Sequence, residues 1–78
     1  MRARMKDLLR QCAERHDLEP NTLLAPTRKR CVSWPRQEFM ARAREAGFST
    51  PQIGRFLGVD HSTVLHGSRA AWAREVGR

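Results

Sequence analysis

Apolar residues recur along this chain at steps of three and four, the period of a helix, and nowhere alternate as a half-buried strand requires. Met5, Leu8, Leu9, Cys12, Ala13 and His16 line one such stripe, with Arg4, Asp7, Arg10 and Glu14 on the opposite face. Residues 3–16 therefore read as an amphipathic helix with its stripe on a core. Leu18 leads into Glu19-Pro20-Asn21, where Pro20 suits the first position of a short helix over 20–24, and Leu23 and Leu24 then cap the core. Residues 25–34 lose the period and read as a loop. Ser33 is placed to N-cap a helix over 34–46 opened by Trp34 and Pro35, with Phe39, Met40 and Ala43 inward and Gly47 as its stop.

The last third is punctuated more sharply. Ser49-Thr50-Pro51-Gln52 has the form of a capping box, and Ile53, Phe56 and Leu57 give a helix over 50–58 its buried face. Gly58 ends that helix in the left-handed conformation glycine adopts cheaply, and Val59 plugs the turn. Asp60 then caps a helix over 61–75 whose inward positions are Val64, Leu65, Ser68, Ala71 and Trp72. Both tryptophans, Trp34 and Trp72, read as core or core-edge residues. With no hairpin signal the expectation is an all-α fold, one small helical domain across 1–78 with a basic loop ahead of its last two helices.

A chain of 78 residues supports one small core worth roughly 3–5 kcal/mol, too little for a nucleotide-hydrolysing domain or a doubly wound sheet. Charge narrows the partner. Fifteen Lys+Arg against eight Asp+Glu leave +7, which points to a polyanion, either nucleic acid or an anionic membrane surface. The excess is uneven: residues 1–19 set five basic side chains against four acidic ones, residues 20–45 six against two. Its densest point is Arg28-Lys29-Arg30. A near-neutral first helix carrying Asp7 and Glu14 argues against membrane binding, and no apolar run is long enough to span one. The lack of tyrosine, with only two tryptophans, disfavours a stacking platform for single strands.

Cys12 and His16 stand four apart on one helix face, a spacing able to hold a metal, with Cys31 as a third candidate ligand. No CxxC or HxxxH accompanies them, and Cys12 falls in the apolar stripe where a free thiol packs as a small hydrophobe. The expectation is packing, with no metal, no cofactor and no disulfide framework. Nothing positions a base, an orienting group or an oxyanion site, so no catalysis is expected either.

Two short helices joined by Gly-Val-Asp form a helix-turn-helix pattern. A helix that enters the major groove must open with short polar residues, so that its backbone approaches closely. It also needs a buried face to hold it rigidly. Residues 60–69, DHSTVLHGSR, satisfy both demands: His61, Ser62, His66 and Arg69 face outward while Val64, Leu65 and Ser68 face inward. Gly67 permits close approach of a packed helix or of a nucleic-acid backbone.

PRQ at 35–37, TPQIGRFLG at 50–58 and DHSTVLHG at 60–67 resemble, in the same order, the DNA-binding domain of the bacterial replication initiator DnaA. The resemblance runs from about residue 13 to residue 75. It implies a Trp-repressor-like helix-turn-helix preceded by a basic loop, bound as a monomer to a short asymmetric box in double-stranded DNA. It also implies individual roles. Arg28 enters the minor groove beside the box; Arg36 and Gln37 contact DNA, the arginine reading a base. Asp60, His61, Ser62 and Thr63 touch base edges and phosphates, and Arg44 sits at a phosphate-contacting position.

Side-chain chemistry agrees with those roles, since arginine pairs with guanine or fits a narrow minor groove and an aspartate accepts from a cytosine amine. Lys29, Arg30, His66 and Arg69 complete the candidate set. Ser62 stands where threonine is commoner in the family, and the turn lacks the arginine of the family's Gly-Gly-Arg-Asp-His. No counterpart of the initiator's ATPase domain or final helix is expected. The chain is accordingly expected to act as a reading head alone, cytoplasmic and nucleoid-associated, regulating replication initiation or transcription. The alternative is a protein-interaction module that binds a replication or transcription component without reading DNA. Arg28, Arg36, Gln37 and the 60–63 tetrad standing together weigh against it.

Overall fold

The computed structural model describes residues 4–24 and 30–76, with the side chains of 30–33 excepted. Among the described residues the order is α1 (Met5–Arg15), α2 (Pro20–Leu24), α3 (Arg30–Glu45), α4 (Thr50–Leu57) and α5 (His61–Val76), with no strand. Each helix contributes a stripe to one core. Phe39, Met40, Leu23, Ile53 and Val64 are its largest fully buried apolar side chains, with Phe39 and Phe56 rings tilted at 5.8 Å between centroids. α3 is the hub, in contact with all four other helices, and its longest interface is with α5. There α5 offers the buried small residues Gly67, Ser68 and Ala71. A Cβ at Gly67 would collide with the Met40 sulfur, so the close approach foreseen at Gly67 is that of a packed helix.

α1, α3 and α4 end alike. Asp17, Gly47 and Gly58 adopt positive φ of 55°, 103° and 75°. The next amide then donates back five residues, Leu18 to Ala13, Phe48 to Ala43 and Val59 to Gly54, at 2.8–3.1 Å. Leu18, Phe48 and Val59 each pack against the core cluster, so every stop is also an apolar plug.

Several expectations need correction. The basic loop is shorter than the lost periodicity suggested: α3 begins at Arg30, Ser33 lies within it rather than capping it, and Pro35 is inside the helix. A proline there removes one rung, from its own nitrogen to the Cys31 carbonyl, beside a first turn whose amides have no intrahelical partner anyway. Arg28 and Lys29 lie outside the described residues, as do the side chains of Arg30 and Cys31. Leu24 is 38% exposed and Trp34 47%, so neither caps the core. Leu65 and Trp72 are half-buried.

His16 leaves the apolar stripe altogether. It follows the last turn of α1 and lies 2.8 Å, through Nε2, from Oε2 of Glu38 on α3. Cys12 is buried as expected, its Sγ donating to the Pro35 carbonyl at 3.0 Å. Desolvation, reinforced by the hydrogen bond and charge of Glu38, pushes its thiol up to about 12. Burial alone would raise the Glu38 carboxyl; hydrogen bonds from His16 and Cys12 and the charge of Arg15 outweigh it and hold the group below its ordinary value.

Candidate nucleic-acid interface

The site begins with the register of α4. Ser49 Oγ accepts from the Gln52 amide at 3.3 Å while Gln52 Oε1 accepts from the Ser49 amide at 2.8 Å, so the capping box is complete. Farther along α4, Gly54 lets the turn fold back on the helix. A Cβ there would stand 2.7 Å from the Val59 carbonyl oxygen and 3.4 Å from backbone atoms of Asp60 and His61. The start of α5 is thus set against α4 by backbone contact.

Asp60 occupies the N-cap position of α5, its carbonyl accepting from the amides of Thr63 (3.0 Å) and Val64 (3.3 Å). Its carboxylate lies 3.2 Å from His61 Nδ1. Asp60, His61, Ser62 and Thr63 are all exposed, and so are His66 and Arg69. Ser62, His66 and Arg69 are spaced four and three apart and share a face. Beneath them Val64, Gly67 and Ser68 are buried. This is a polar, short-chained edge on a fixed base.

α3 supplies the facing wall. Arg36, Gln37 and Met40 line an open groove of about 390 Å³ whose other side is Thr63, His66, Gly67 and Ala70. Arg36 Nε donates to the Leu23 carbonyl at 2.8 Å, tying the side chain to α2, and partial burial lowers its pKa from the ordinary value. Gln37 Oε1 accepts from Arg74 Nη1 at 2.7 Å. The Arg74 guanidinium in turn lies over the Trp34 ring, 4.5 Å from its centroid.

Arg44 does not line this groove. It donates to Ser68 Oγ at 2.9 Å and lies over the Trp72 ring, in a seam completed by Trp72 Nε1 on Glu45 and by Arg42 between Glu45 and Glu75. The structure thus gathers Arg36, Gln37, Thr63 and His66, leaves Asp60 exposed at the N-cap of α5 and His61, Ser62 and Arg69 exposed along that helix, and puts Arg44 in the α3–α5 packing. Gly54 and Arg74 were missed from sequence. An isolated glycine in a helical run is itself a signal, because it costs about 1 kcal/mol unless something needs the space. Arg74 gives no local signal, its partners lying 37 and 40 residues away.

No helix among the described residues is long and apolar enough to cross a membrane. The profile of the family described as bacterial dnaA protein helix-turn-helix matches residues 5–70, taking in the groove residues, all of α4 and α5 as far as Ala70. Chromosomal replication initiator protein DnaA of Deinococcus deserti is 39% identical over 67 residues, covering 85% of this chain and 15% of the relative. The Deinococcus radiodurans protein of the same name is 41% identical over 64 residues, covering 80% and 14%. That of Cereibacter sphaeroides is 36% identical over 67 residues, covering 83% and 15%. The chain therefore spans about 15% of the length of these relatives. No solved structure matches it. A helix-turn-helix match over residues 5–70, most of the chain, makes this protein a member of the bacterial DnaA helix-turn-helix family.

Proposed function

We propose that this chain binds double-stranded DNA sequence-specifically and without catalysis. The first turns of α5 enter the major groove while the Arg28–Arg30 segment reaches a flanking minor groove. The observation that carries this reading is the groove that sets Arg36 and Gln37 of α3 beside Thr63 and His66 of α5, next to an exposed, short-chained helix start. Arg36 and Gln37 supply guanidinium and carboxamide donors for base edges. Asp60 accepts from a base amine, and Ser62 and Thr63 meet a phosphate or a thymine methyl where the amides of the first turn favour an anion. Arg69 adds a phosphate contact farther along the face it shares with Ser62 and His66. Arg44 contributes to the field from within the seam that holds α5.

Membership of a helix-turn-helix family supports DNA binding in general, and relatives named as chromosomal replication initiators favour a box-like element of the initiator's kind as target. A monomer suffices for a short asymmetric site. The role that follows is regulation of replication initiation or transcription on the nucleoid. Each good base contact discriminates by about 1–3 kcal/mol, and phosphate neutralisation makes affinity fall steeply with salt.

The test is titration of duplexes carrying a box-like element, or the same bases scrambled, across a series of salt concentrations. The expected result is tighter binding to the box at every salt. Equal affinity for both duplexes overturns the readout, and no salt-linked affinity for either favours the protein-interaction reading.

A further inference from the structure

We propose that Cys12, His16 and Glu38 form a binding site for a divalent transition-metal ion of the zinc class, clamping α1 to α3. Sγ, Nε2 and a carboxylate oxygen of these residues all lie within 4.8 Å of one another. Two of the separations are 3.4 Å, from Sγ to Oε2, and 2.8 Å, from Nε2 to Oε2. Tetrahedral zinc, with bonds of about 2.3 Å to sulfur and 2.0–2.2 Å to nitrogen and oxygen, sets its ligand atoms about 3.3–3.6 Å apart. The required change is a small opening of the histidine–carboxylate pair and a closing of the thiol onto the imidazole from within 4.8 Å.

The donor set also chooses the ion. One thiolate, one imidazole and one carboxylate suit zinc and its neighbours, whereas magnesium and calcium call for oxygen alone. The carboxylate is oriented for the task. Arg15 Nη2 stands 3.4 Å from Oε1 of Glu38, so Oε2 is the atom that faces both Cys12 and His16. An outer partner that holds one oxygen and aims the other is the usual support of a metal ligand.

Cys12 lies in the last turn of α1, His16 is that helix's C-cap residue and Glu38 rises from the middle of α3, so each is held by a helix or its cap. An ion enters from the His16 side, where 36% of the side chain is open, and its fourth position there takes water. Binding releases the Cys12 thiol proton to solvent, breaks its hydrogen bond to the Pro35 carbonyl, and uses His16 through an unprotonated Nε2. The site is independent of the DNA reading. It fixes α1 on the helix that carries Arg36 and Gln37, and so adds stability rather than contact.

The test uses the untagged full chain titrated with Co2+ as a spectroscopic stand-in, then with Zn2+. The expected result is one equivalent of cobalt giving tetrahedral visible bands with a sulfur-to-cobalt charge-transfer band, displaced by Zn2+, and a Tm raised by Zn2+. Cys12→Ser, folded by circular dichroism, loses the charge-transfer band, and Cys31→Ser keeps it. Glu38→Gln and His16→Gln weaken binding more than about tenfold, the least that outer-shell partners of a metal are worth. The proposal is overturned by a titration with no charge-transfer band, or by a band that survives in Cys12→Ser and vanishes in Cys31→Ser.

Discussion

Arg74 Nη1 donates to Gln37 Oε1 across 2.7 Å, joining the far end of α5 to the groove at the start of the same helix. One lone pair of the carboxamide oxygen is engaged by Arg74, and Gln37 brings its two N–H donors to a ligand. The guanidinium is itself held by the Trp34 ring at 4.5 Å and lies 3.5 Å from the Trp34 carbonyl. Exposed Trp34 thereby gains a purpose other than core packing: it is the plate on which the arginine rests.

Arg74→Met keeps the apolar stem on Trp34 and removes the donor. Preference for a box duplex over its scramble is expected to fall by about 1 kcal/mol, the scale of one hydrogen bond, with little change in Tm. Gln37→Ala should remove the same increment, and the double variant should lose no more than either single one. Additive losses in competition binding would mean that the two residues act separately.

Gly54→Ala is expected to destabilise the fold and blunt DNA binding together. The new methyl meets the Val59 carbonyl at 2.7 Å, and a backbone atom cannot step aside as a side-chain end does. Overpacking costs of about 1–3 kcal/mol are set against a helix-propensity gain of about 1 kcal/mol, leaving a net loss of order 1 kcal/mol. Thermal unfolding reads the first effect. Affinity measured well below the transition reads the second, since relief of the clash moves the turn and the start of α5 with it.

Two of the three helix stops, Asp17 and Gly58, make a matched pair of opposite sign. Asp17 at φ 55° is a non-glycine residue in the left-handed region, while Gly58 at φ 75° has open space around its missing Cβ. Gly58→Ala therefore introduces backbone strain with no steric clash and should cost about 1–2 kcal/mol. Asp17→Gly relieves part of the same strain and should gain about 0.5 kcal/mol, less than the full amount because glycine gains freedom in the unfolded chain. Denaturant midpoints compare them directly. A loss at Asp17→Gly would show that its side chain does more than tolerate the turn.

What the sequence made legible was what local chemistry decides. The capping box at Ser49, the Gly58 stop and the inward positions Ile53 and Leu57 of α4 and Val64, Ser68 and Ala71 of α5 are readable from nearby residues, and each holds in the structure. What it concealed were partnerships made by packing. Pro35 looked like a helix start because proline favours that position, yet α3 begins five residues earlier. His16 fitted the helical period but is drawn to Glu38, 22 residues on. Arg44 reads as one more exposed cation until Ser68 and Trp72 close on it. Charge along a chain says how many phosphates it can meet and not which cations the fold keeps for itself.

Salt dependence separates phosphate contacts from base contacts. Lys29, outside the described residues and in the densest basic run, carries no base-reading role, so Lys29→Ala should weaken binding to box and scrambled duplexes alike. One fewer phosphate contact should also lower the slope of log affinity against log salt by about one. His61 is exposed at the first position of α5, beside the Asp60 carboxylate at 3.2 Å. His61→Ala should cost about 1–3 kcal/mol on the box duplex, little on the scramble, and leave the salt slope nearly unchanged. If His61→Ala lowered both affinities equally and took a unit from the slope, the histidine would belong with the phosphate contacts, and base reading would fall to Arg36, Gln37 and Asp60.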